Sequence, residues 1–376
     1  MTPAALRRPA RFLPASLVTL LTLATVRPLR AAEPSAASTP AAPPPPQGVE
    51  ILMRDGTRLA ADLHLPALPG AFPVILGRTP YNKAVSAGFG RDGAARGYAV
   101  LIQDTRGRHA SAGENLPFHL DVPDGLDTLA WIRRQPWCNG RVGTWGGSAG
   151  AITQFQLAAG EPAGLDAQHL VVGAPNLYEV VYTGGVFRKS LVEDWIRITR
   201  FQDDALARWT AHPRYDAYWQ ARDASRHYAG VNAAGLHLGG YWDIFAQSTL
   251  DGFVGYQKQG GPRARGHQRL VMGPWTHGVL QEKAGELVFP GAKRPPGGVH
   301  DTWAWFAATL RDEPGALDRI PAVTYYVIGD VTDAQAPGNR WRTAADWPPV
   351  PAQASPFYLH ADRTLQCTVP GNAAPG

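Results

Sequence analysis

Cysteine is nearly absent from this chain: Cys138 and Cys367 are the only two among 376 residues. Two cysteines cannot build a disulfide framework. Neither stands in a C-x-x-C pair, and no H-E-x-x-H occurs, so the familiar zinc patterns are excluded. Cys138 precedes an apolar strand and reads as a buried thiol. Charge is also scarce, with Asp, Glu, Lys and Arg at 18% against 44% hydrophobic residues. That excludes a disordered, highly charged chain. The formal net charge of +5 gives no basic binding face. Arg7, Arg8, Arg11, Arg27 and Arg30 all lie in residues 1–32, which hold no acid, and the remainder is neutral. A nucleic-acid partner therefore loses its main support. No long apolar run is present either. The longest, "FLPASLVTLLTLATV", is short and proline-marked, which argues against a membrane span.

What is present is aromatic and globular: 12 Trp, 12 Tyr and 12 Phe. The first 32 residues combine a basic start, the short apolar core and small residues at "LRAA", the pattern of a signal peptide. They predict a periplasmic or secreted protein. Residues 33–47, "EPSAASTPAAPPPPQ", read as a Pro/Ala linker. The body of the chain is expected from residue 48.

"VEILMRDGTRLAADLHLP" reads as a β-hairpin around Asp55-Gly56. Strands then alternate with helices. Strands are expected at 73–78, 98–107, 141–145, 169–175, 236–242 and 269–275, and helices at 84–96, at 123–135 and through "AITQFQLAA". Apolar strands separated by helices imply an α/β fold with a parallel sheet covered on both faces. Residues 177–232 break the rhythm, aromatic and helix-like with no clear strand. They predict a helical cap over the C-terminal edge of the sheet, where open α/β sheets bind ligands. From residue 321 the character turns β-like, in "AVTYYVIG" and "FYLHAD". This is expected to open a β domain, with too few strands before Gly376 to close a sandwich.

The glycine-rich "GRVGTWGGSAGA" (140–151) has two readings. A dinucleotide loop needs G-x-G-x-x-G and an acid at the end of the next strand; a P-loop needs G-K-[ST]. Neither requirement is met. Gly146-Gly147-Ser148-Ala149-Gly150 instead matches G-x-S-x-G between a strand and a helix, the nucleophile elbow of α/β-hydrolases. Ser148 would stand above the sheet, with the Ala149 N–H aimed at the developing oxyanion. A serine nucleophile needs a base, and the base an orienting acid, in the order Ser, Asp/Glu, His after later strands. Asp243 follows "LHLGGYW" and His277 follows "RLVMGPW". His267 lies at the wrong end of its strand, His300 opens a helix, and Asp251 falls one helix too late. Asp243 also suits a helix N-cap before "IFAQSTL".

"RTPYNK" (78–83), "QDTRGRHASAGE" (103–114), "QPWCNGRVGTWGGSAG" (135–150), "GGYWDIF" (239–245) and "GPWTHG" (273–278) together resemble the cocaine esterase and X-Pro dipeptidyl-peptidase family, the CocE/NonD hydrolases. "FYLHADRTL" (357–365) resembles the opening of that family's C-terminal jelly roll, which here would be incomplete. The resemblance implies a serine hydrolase with Ser148, Asp243 and His277 as triad and no cofactor or metal. It further implies an oxyanion hole of the Tyr81 hydroxyl and the Ala149 N–H. In the family the residue after the serine is often tyrosine; here it is Ala149.

Trp145, Trp195 and Trp242 are candidates for a pocket that takes an apolar acyl group. Glu179, Glu193 and Asp194 are candidates for holding the free amine of a dipeptidyl substrate. Relatives acting on α-amino acid esters carry acids just after the triad acid, where this chain has Ile244, Phe245 and Ala246. The expected substrate is a small ester or amide or a short peptide. A catalytically inactive scaffold and a cofactor-free haloperoxidase are the rival readings.

Overall fold

The computed structural model describes residues 42–311, 313–351 and 353–371. The expected signal peptide and most of the linker lie outside the described residues. Ten strands form one sheet. They are β1 (Gln47–Leu52), β2 (Arg58–His64), β3 (Phe72–Thr79), β4 (Ala99–Asp104), β5 (Cys138–Gly147), β6 (Ala167–Val171), β7 (Ala234–Gly240), β8 (Gln268–Gly273), β9 (Val323–Val327) and β10 (Arg340–Ala344). Their spatial order is β1-β2-β4-β3-β5-β6-β7-β8-β9-β10. From β4 to β9 neighbours run parallel; β1–β2, β2–β4 and β9–β10 are antiparallel.

The central strands are mostly apolar because both faces are covered. Every residue of β4, β7 and β8 is buried. Along β3, alternate side chains serve opposite cores. Val74 and Leu76 pack with Leu129 and Ile132 of α2 (Asp121–Arg133) and Phe155 and Leu157 of α3 (Ala149–Ala159), after α1 (Ala87–Ala95) in chain order. Ile75 faces the other way, onto a layer holding Trp305 and Phe306. Each such side chain contributes about 1.5–3 kcal/mol on burial. A buried ion pair, Arg78 to Asp121 at 3.0 Å, joins β3 to α2, and the Arg78 Nε–H also donates to Gln103 Oε1 on β4.

Residues 177–232 carry α4 (Leu177–Val181), α5 (Lys189–Thr199), α6 (Ala205–Thr210) and α7 (Ala217–Gln220), then a 3₁₀ turn at Ala224–Gly230. One expectation needs correcting here. A two-residue hairpin, Tyr182–Thr183 with Val186–Phe187, turns through Gly184 and Gly185, both with positive φ. The helices α8 (Ala246–Gln259) and α9 (Thr302–Leu310) complete the layers. Among the described residues no helix is long and apolar enough to cross a membrane.

Two further corrections arise. The expected boundary at 321 does not separate a new domain, because β9 pairs with β8 and β10 with β9. Val323 buries itself with Leu270, Met272 and Phe253, which extends the central core. Beyond β10, the described residues form only a short hairpin, Tyr358–Leu359 with Leu365–Gln366. Cys138 is half-buried, as the first residue of its strand.

Two histidines are walled into the layers. Neither ring nitrogen of His169 has a hydrogen-bond partner, and burial holds its pKa down to about 3 from 6.5. Burial holds His237 at about 4, against the opposing hydrogen bond of Gln268. The unfolded chain takes up these protons below its ordinary value, and the folded chain refuses them until far lower pH. Stability present at pH 7 is therefore lost as pH falls from 6.5 towards 4, by about 1.4 kcal/mol per histidine per pH unit. Calorimetry across this range should show Tm falling steadily, and a flat profile would contradict the assignment.

Candidate active site

Ser148 follows β5 and caps the N-terminus of α3, with φ 56° and ψ −121°. A side chain rarely adopts this conformation, so the surroundings must impose it. Ser148 N–H donates to Val171 O at 2.9 Å, and Ser148 O accepts from Ala151 and Ile152 N–H at 2.9 and 3.0 Å. Gly146 is required by close approach: a Cβ there would lie 2.9 Å from Gly150 O. At Gly147 a Cβ would meet only ordinary contact, 3.5 Å from Val171. A residue the sequence reading missed completes the turn. Gln154 of α3 donates to Gly146 O, Gly150 O and His169 O at 3.0–3.1 Å, and Thr144 donates to its carbonyl oxygen at 2.7 Å. Its signal was an amide side chain in a mostly apolar helix start, "AITQF".

The acid and base stand on adjacent loops after β7 and β8. These loops are stitched by Tyr241 N–H to Gly273 O and Trp242 N–H to Trp275 O, both 2.9 Å. The Trp275 side chain is fully buried and donates to Ala292 O at 3.1 Å. His277 Nδ1 meets Asp243 Oδ1 at 2.6 Å, and His277 Nε2 meets Ser148 Oγ at 3.0 Å. The Asp243 side chain is fully buried, whereas that of His277 is 40% exposed. Asp243 Oδ2 also accepts the N–H of Phe245, just before α8, at 3.2 Å. Asp243 is therefore not the cap of α8, whose N-cap residue is Phe245; it orients His277 and braces the turn that leads into the helix. Phe245 in turn packs edge-on against the His277 ring at 5.5 Å.

Ser148 and His277 open onto a cavity of about 260 Å³. Its walls are Tyr81, Phe118, Ala149, Ile152, Val180 and Trp195, with further apolar side chains of α4 to α6 and the Asp243 loop. Of the three tryptophans expected there, Trp195 is in place and two are not. Trp145 belongs to a core instead, stacked on Phe89 at 3.7 Å. It borders a second cavity, beside Gly146 and Gly147. Trp242 uses its backbone to stitch the loops, and the residue is left 51% exposed. Glu193 and Asp194 pair along α5 with Lys189 and Arg197. Glu179 is exposed beside a different groove. None of the three lines the Ser148 cavity.

The family model of the X-Pro dipeptidyl-peptidases (S15 family) matches residues 55–205 and 198–279. The chain belongs to this family. The match agrees with the resemblance carried by the five motifs. The cocaine esterase of Rhodococcus sp. (strain MB1 Bresler) is 30% identical over 366 residues, 83% of this chain. The chain spans 61% of that relative's length. Two solved structures are similar in fold. One is an alpha-amino acid ester hydrolase with TM-score 0.66 and 21% identity, covering 92% of this chain and 66% of that one. The other is a CocE/NonD family hydrolase from Staphylococcus aureus with TM-score 0.68 and 22% identity, covering 86% of this chain and 60% of that one. The S15-family chain thus has the α/β-hydrolase fold.

The loop stitching has a testable consequence. A Cβ at Gly240 would overlap the Trp275 carbonyl, between the loops of Asp243 and His277. Gly240→Ala should cost about 1–3 kcal/mol through overpacking, read as a lowered Tm. It should also slow any fluorophosphonate labelling of Ser148 at least about tenfold, by moving Asp243 and His277 out of line with it.

Proposed function

We propose that this protein is a serine hydrolase that cleaves esters of apolar acyl groups through an acyl-serine intermediate. The observation that carries the reading is the hydrogen-bonded line Ser148–His277–Asp243 opening into an apolar cavity. His277 Nε2 takes the hydroxyl proton as Ser148 Oγ attacks the carbonyl carbon. Asp243, accepting from Nδ1–H, holds the ring in the tautomer that leaves Nε2 free as acceptor and stabilises the imidazolium that forms. The Ala149 N–H, at the first position of α3, has no intrahelical acceptor. With the Tyr81 hydroxyl it receives the oxyanion. His277 then protonates the leaving alcohol and activates the water that releases the acid.

The family model's name raises a second reading, cleavage of X-Pro peptides. Such a substrate presents a charged amine, which calls for a facing carboxylate. The cavity walls supply aromatic and aliphatic surface instead, and the candidate acids serve outer-surface pairs or another groove. This supports the ester reading, as does the relative named a cocaine esterase.

Ser148→Ala should lower kcat by about 10⁴-fold or more and abolish fluorophosphonate labelling. Labelling that persists at another residue would sink the assignment. A panel of p-nitrophenyl esters and of Ala-Pro and Gly-Pro p-nitroanilides separates the two readings. The expected result is ester turnover rising from acetate to butyrate or benzoate, with anilide turnover weaker by about 10²-fold or more. A preference for the anilides would reverse the choice.

A further inference from the structure

The Tyr81 hydroxyl already has a partner. Trp195 Nε1–H donates to it at 2.9 Å. An indole nitrogen can only donate, so the phenol oxygen is the acceptor, and its own proton stays available for another acceptor. Tyr81 lies at the cavity edge with Ser148 and Ala149, where that proton meets a developing oxyanion. A hydroxyl that accepts one hydrogen bond donates a stronger one.

The indole has little freedom to turn away. It is stacked between Phe118 (5.6 Å between centroids, 4° between planes) and Trp209 (6.0 Å, 16°), with Phe201 at 5.0 Å. The helix that carries it, α5, is bound to the Tyr81 loop a second time through Arg108. This buried guanidinium donates to Thr199 O and Arg200 O at the end of α5. It also donates to Pro80 O, in the residue before Tyr81, at 3.0 Å. Asn115 reinforces the joint by accepting from Arg108 and donating to Arg200 O, at 2.9 and 2.8 Å. Two independent ties therefore run from the cap to the two sides of one residue.

We propose that Trp195 is a positioning residue for the oxyanion hole: the cap helix aims and polarises the Tyr81 hydroxyl, so that docking of the cap and assembly of the hole are one event. The inference rests on the serine-hydrolase reading and on Tyr81 as oxyanion donor. A tryptophan that is only a pocket wall would act on KM and acyl preference. A positioning tryptophan acts on kcat, and only while Tyr81 carries its hydroxyl.

The test is a double-mutant cycle with p-nitrophenyl butyrate, using the full chain as wild type, Trp195→Phe, Tyr81→Phe and the double variant. Phenylalanine keeps ring packing and removes the N–H. Trp195→Phe should lower kcat by about tenfold with KM changed less than about threefold. Tyr81→Phe should lower kcat by about 10²–10³, and the double variant should match Tyr81→Phe within about twofold. If the two losses multiply in the double variant, or Trp195→Phe leaves kcat unchanged, the coupling is overturned while Tyr81 keeps its role. If Tyr81→Phe is as active as wild type, both the coupling and the oxyanion assignment fall. Should Trp195→Phe not fold, the same cycle is run with Arg108→Lys, which removes the bidentate tie and keeps the charge. Non-additivity with Tyr81→Phe supports the proposal there, and multiplication of losses overturns it.

Discussion

The backbone of Ser148 is the constraint on which the site depends. A serine at φ 56°, ψ −121° is strained, by about 1–3 kcal/mol. It persists because several hydrogen bonds and one close glycine approach specify the same turn. Val171 O fixes its N–H, the start of α3 fixes its carbonyl, and the buried Gln154 amide gathers three carbonyls around it. Each bond is worth only about 0.5–1.5 kcal/mol net. Together they exceed the strain, since leaving any of these buried groups unpaired costs more than the bond returns. The result is a hydroxyl that clears the sheet edge and a helix N-terminus that starts one residue later.

The remaining parts converge on that point because the parallel sheet sends its strand ends to one edge. The loops after β7 and β8 are neighbours, so Asp243 and His277 meet although 34 residues separate them. The backbone bonds between those loops bear the geometry, and the side chains follow. The buried Arg78–Asp121 pair has a different role. Desolvation raises the Asp121 pKa and works against the pair, so its value lies in joining β3, β4 and α2 in one register rather than in net stability.

Much of this was legible in the sequence, where local chemistry and fold demand the same residues. G-x-S-x-G between a strand and a helix specifies its own geometry, and the order Ser148, Asp243, His277 follows from strand ends. The cap was legible as a break in rhythm. Composition could not decide which tryptophan faces the cavity. Trp145 sits in the elbow motif yet packs on Phe89, whereas Trp195 reaches the site because α5 folds back over the sheet. Gln154 and Arg108 were harder to read for a similar reason: most of their partners are backbone carbonyls, which carry little residue-type signal. The boundary at 321 failed because β9 reads as a generic β-strand, and its pairing with β8 is a long-range fact.

The outermost strand has a consequence of its own. Any sheet with a free margin is a template on which another copy can continue the ladder. One of the two margins here is β10, which alternates the exposed Arg340 and Arg342 with the half-buried Trp341. Two copies meeting margin to margin would have to bring their guanidinium pairs together and strip water from them. Two cations thus discourage polymerisation through this margin of the sheet.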